Sequence, residues 1–64
     1  MWTAIYLATG KEMATDIEQK LKEEGFLVKK QFFAKEGDEE LYEILVPEFE
    51  AKEIHAVLYE LGLI

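Results

Sequence analysis

Few residues in this 64-residue chain are of a type and spacing that could do chemistry. Gly10-Lys11 follows an apolar run and precedes a helical pattern, as the glycine and lysine of a phosphate-binding loop do. That motif also requires an earlier glycine and a Ser or Thr for magnesium; here the glycine is missing and Glu12 stands in the hydroxyl's place. Glu12 and Asp16 would also repel an anion, so the segment reads as a helix entry. His55 is the only histidine and there is no cysteine, so no nucleophile, base and orienting group can be assembled around it. It reads as the flank of a helix. Glu36-Gly37-Asp38-Glu39-Glu40 concentrates carboxylates, but without the alternating oxygen ligands of a calcium loop, and reads as a solvated turn. No catalytic residue, cofactor site or metal site is assigned, and the expectation is a protein that is not an enzyme.

The charge narrows the partners. Through Lys35 six lysines face five acids, a balance of +1; from Glu36 onward nine acids face Lys52 alone, a balance of −8. A net charge of −7 repels phosphate backbones, so neither nucleic acid nor an anionic membrane is an expected partner. Lys29-Lys30-Gln31-Phe32-Phe33 mixes bases with aromatics as RNA-binding strands do, but lacks their glycines. No basic, apolar leader opens the sequence, and a cytoplasmic location is expected.

These residues must be positioned by a thin core, because a chain this short buries only about 60% of the surface its unfolded form exposes. A single domain over residues 1–64 is expected. Trp2–Ala8 is apolar on both alternating faces and suits a strand. Thr9 and Glu12 have the spacing of a capping box. Met13, Ala14, Ile17 and Leu21 then form a helical stripe that Gly25 ends, with Glu18 and Lys22 paired one turn apart. Phe26–Ala34 reads as a second strand and Lys35–Glu39 as a turn with Gly37-Asp38 at its tip. Leu41–Pro47 reads as the central strand. Ala51, Ile54, Val57, Leu58 and Leu61 mark a second helix, ended by Gly62 with Leu63 folding back.

The order strand, helix, strand, strand, helix predicts an α+β, two-layer ferredoxin-like βαββα fold. The sheet order is 1-3-2, and both helices lie on one face. A fourth strand beside the first would complete the full ferredoxin-like sheet, so that edge is left open.

Tyr42-Glu43-Ile44-Leu45-Val46-Pro47-Glu48, the opening Trp2–Ala8 strand and the helix exit Lys20-Leu21-Lys22-Glu23-Glu24-Gly25-Phe26 together resemble a family of short prokaryotic chains described as signal-transducing proteins of unknown function. The resemblance spans nearly the whole chain. It implies the half ferredoxin-like fold and carries over no catalytic residue. Similar short chains bear the label glutamate decarboxylase, an activity that needs a pyridoxal-phosphate cavity too large for 64 residues.

The pattern places Phe26, Val28, Phe32, Ile44, Val46, Ile5 and Leu7 in the core, with Tyr42 at its rim. The opposite sheet face then carries Trp2, Tyr6, Leu27, Phe33, Leu41 and Leu45, diluted by Lys29, Gln31 and Glu43. Two helices on the other side leave this apolar surface uncovered, which marks it as an interface. The expected function is a non-enzymatic interaction or regulatory module, a homodimer or a partner to another protein. The alternative is a sensor of an amino-acid-like metabolite bound at a dimer interface.

Overall fold

The computed structural model describes all 64 residues. Strand β1 (Trp2–Thr9) leads into helix α1 (Lys11–Glu23), followed by strands β2 (Lys29–Glu36) and β3 (Glu39–Pro47). A single 3-10 turn at Glu48–Glu50 then opens helix α2 (Ala51–Glu60). The sheet order is β1-β3-β2 and both pairings are antiparallel. The fold is thus the two-layer βαββα arrangement expected from the element order, with both helices on one face.

The β2–β3 hairpin closes on Glu36 opposite Glu39, leaving Gly37-Asp38 as a two-residue loop. Gly37 takes φ 61 and Asp38 stays at negative φ, the sign pattern of a type II′ turn, whose twist matches the flanking strands. Both helices end in the same way. Phe26 N–H donates to the Leu21 carbonyl and Gly25 N–H to that of Lys22; Leu63 and Gly62 repeat the pair on Leu58 and Tyr59. These are Schellman motifs, and they fold Phe26 and Leu63 back against the core.

The start of α1 departs from the expected capping box. Thr9 remains in β1, Gly10 at φ 89 takes the N-cap position, and no side chain caps the helix. The reason is the sheet: Gly10 N–H donates to the Glu40 carbonyl at 2.7 Å, extending the ladder one residue past Thr9. The second strand also begins later than expected, at Lys29, because the Schellman turn commits Phe26 and Phe26–Val28 lead in without strand pairing.

The core lies between the sheet and the helices. Ala14, Ile17 and Leu21 of α1 and Ile54 and Leu58 of α2 meet Ala8, Val28, Ile44 and Val46. All nine are buried, and Ile5, Tyr6, Phe26 and Tyr42 pack around them. Phe32, expected in this core, is half exposed and meets Tyr42 edge-on at 5.7 Å between ring centroids. Leu61, at the end of the α2 stripe, is also exposed.

Across the layers, Glu18 accepts a hydrogen bond from Lys30 at 2.9 Å and lies 3.6 Å from Lys22, one turn along α1. Burial alone would raise the Glu18 carboxyl. The Lys30 hydrogen bond and the charges of Lys30 and Lys22 outweigh it and hold the group below its ordinary value.

Candidate interaction surface

Residues directly opposite in neighbouring strands point to the same side of a sheet, so the register assigns each side chain a face. The central strand divides cleanly. Ile44 and Val46 are buried under the helices, whereas Leu41, Glu43 and Leu45 point to the other side. Their partners form three rows on that open face: Ala4, Leu45 and Lys29; Leu7, Glu43 and Gln31; Thr9, Leu41 and Ala34; Glu39 and Glu36 then close it with two acids at the hairpin. At one end Trp2 pairs with Pro47, which is buried.

Two bulges set this assignment. In β1 the register shifts between Ala4 and Tyr6, leaving Ile5 unpaired. Beyond it, Tyr6 pairs with Ile44 and packs against the core, while Leu7 pairs with Glu43 and is 48% exposed. The expected roles of Tyr6 and Leu7 are therefore exchanged. One extra residue in a strand turns every later side chain to the other side. In β2 the shift falls between Phe32 and Ala34; it leaves Phe33 unpaired and brings Ala34 opposite Leu41.

Of the six residues proposed from sequence, Trp2, Leu41 and Leu45 share the open face. Tyr6 lies on the helix side, Phe33 is the half-exposed bulge residue, and Leu27 is exposed just before β2. Leu7 joins the face in place of Tyr6. Nothing in the local sequence marks the Ile5 bulge, because both alternating faces of β1 are apolar and no glycine flags the site.

The charged residues on this face are arranged asymmetrically. The Lys29 ammonium reaches diagonally over the face to lie 4.4 Å from the centre of the Trp2 ring, a cation–π contact that also shields Leu45 from water. Glu43, half-buried in the middle row, has no hydrogen bond or ion pair in the chain.

The other candidate positions lie at the hairpin end of the sheet and on α2. Thr9, Gly10, Lys35, Asp38, Glu39 and Glu40 surround a shallow, open depression of about 370 Å³ with no apolar wall. Its Gly10 amide is already bonded to Glu40 and three of its six residues are acids, which disfavours a phosphate. Tyr42 donates to Glu40 at 3.2 Å. Burial, then the Glu40 charge and this hydrogen bond, raise its phenol above the ordinary value against the opposing pull of Lys30. His55 is exposed on α2. No three His, Asp or Glu side chains are grouped so that they could hold a metal ion. No helix is long and apolar enough to cross a membrane.

Compared with models of protein families, with curated proteins and with solved structures, the chain matches none of them.

Proposed function

We propose that this protein is a non-enzymatic interaction or regulatory module that works through the open face of its sheet. The observation that supports the reading is the face itself. Trp2, Leu7, Leu41 and Leu45 stand together on a side of the sheet that no element of the chain covers. Three strands about 4.8 Å apart and eight residues long present roughly 400 Å² there, apolar and charged side chains together.

A photo-crosslinking residue at position 7 tests the reading in living cells. Specific adducts at position 7, absent when the same residue replaces exposed Tyr59 on α2, are the expected result. Equal labelling at both positions, or none at position 7, overturns it. A metabolite sensor working at the same seam would instead show melting raised by one compound of a metabolite panel, since a ligand that binds only the folded state stabilises it.

A further inference from the structure

We infer that the outer edge of β1 is a docking site distinct from the open face, and that it takes an extended segment of another protein, carrying lysine or arginine, as a fourth strand of the sheet.

The hydrogen bonds of β1 identify its free backbone groups. Gly10 N–H donates to the Glu40 carbonyl, and Glu48 N–H to the Met1 carbonyl at 2.8 Å. In an antiparallel pair, residues bonded to the partner strand alternate with residues whose N–H and C=O point away from it. Counted from these two bonds, Thr3, Tyr6 and Ala8 face β3, and Trp2, Ala4, Leu7 and Thr9 point outward. The bulge at Ile5 accounts for the step of three between Ala4 and Leu7. Pro47, which has no N–H to give, accordingly sits opposite outward-pointing Trp2. The same four residues are the exposed ones of the strand, and no bond outside the ladder uses their amides or carbonyls. Such a row is matched by another chain in extended conformation, so the edge dictates the shape of its occupant.

The two edges of the sheet are guarded differently. β2 carries Lys29, Lys30, Lys35 and Glu36, charges that discourage a further strand. β1 has neither a charge nor a proline in its eight residues.

Charge selects the occupant. β2, with three lysines and one acid, stands at +2, whereas β3 carries three acids and no base. The 3-10 turn and α2, which packs against β1, add four acids against Lys52, and α1 is nearly neutral with four acids and three lysines. A strand added beside β1 lies about 9.6 Å from β3 and about 14 Å from β2. With a screening length of about 8 Å in physiological salt, it senses the acids of β3 far more than the lysines of β2. Beyond Thr9 the edge runs into the open depression, where Asp38, Glu39 and Glu40 outnumber Lys35. A segment paired with Leu7 and Thr9 therefore brings a long, flexible basic side chain within reach of three acids.

The test titrates the isotope-labelled chain with an eight-residue peptide of alternating lysine and valine and follows the amides by NMR. The expected result is saturable binding that shifts the Leu7 and Thr9 amides more than those of β2. N-methylation separates ladder pairing from charge attraction, because a strand pairs along one edge through one alternate set of its amides. Methylating the lysines in one peptide and the valines in another should weaken binding about 10-fold or more in one case and little in the other. Exchanging the lysines for glutamates should weaken it by about the same factor. Leu7→Pro, which removes an outward N–H and leaves Tyr6 and Ala8 to bond β3, should do likewise, with helix content unchanged by circular dichroism. No binding at millimolar peptide, equal affinities for the two methylated peptides, a glutamate peptide that binds as well, or shifts centred on β2 would overturn the inference.

Discussion

Ile44 and Leu45 are neighbours on the same strand with side chains of the same atomic composition, yet they belong to different surfaces. Ile44 is fully buried under the helices; Leu45 stands on the face that no helix covers, beneath the Lys29 side chain. The helix face has its partners built in and serves stability. The open face mixes Trp2, Leu7, Leu41 and Leu45 with Lys29, Gln31 and Glu43 and has no helix over it. The comparison separates residues that hold the fold from residues left free of that task, although they alternate along one strand.

The largest effect that would break this distinction is on the helix side. Ile44→Ala should cost about 2–5 kcal/mol, a large part of the roughly 3–10 kcal/mol available to a domain of this size. Chemical denaturation would show it as a lower midpoint; an unchanged midpoint would mean the core has been misplaced.

Tyr6 and Leu7 sharpen the comparison at the bulge. Tyr6→Glu should destabilise the fold by about 1–3 kcal/mol, because it drives a charge toward the core. Leu7→Glu should leave the melting temperature nearly unchanged and weaken association. Thermal melting and sedimentation on the same two variants check both halves. The opposite pattern would restore the unbulged alternation.

A smaller effect comes from Glu18, which joins the layers through Lys30. Its folded-state pKa lies below its unfolded value of about 4.5, so its stabilisation is complete above that value and fades as pH falls through the folded pKa. Glu18→Gln should cost about 1 kcal/mol near neutral pH. Denaturation of the two proteins from pH 7 down to pH 3 should show the difference shrinking; a constant gap would assign the loss to packing.

Much of this molecule was legible in its sequence because the signals were local. Gly25 and Gly62 sit where only a left-handed residue closes a helix, and Gly37-Asp38 dictates a tight hairpin. The repeat of Ala14, Ile17 and Leu21 has one helical solution. What was not legible depends on pairing between distant segments. The Gly10 bond to Glu40 removed Thr9 from the capping position, and the unpaired Ile5 moved Tyr6 beneath the helices. A strand apolar on both sides gives no internal sign of which way it faces. The open face was visible as a surplus of apolar residues, but its membership needed the register.

Sedimentation equilibrium of the natural chain beside Leu45→Glu, over concentrations from micromolar to millimolar, tests the central claim most directly. The natural chain should rise from the mass of one chain toward that of two, and Leu45→Glu should remain at one with its helix content intact. Two superimposed profiles, whether both single or both double, would contradict self-association through the open face.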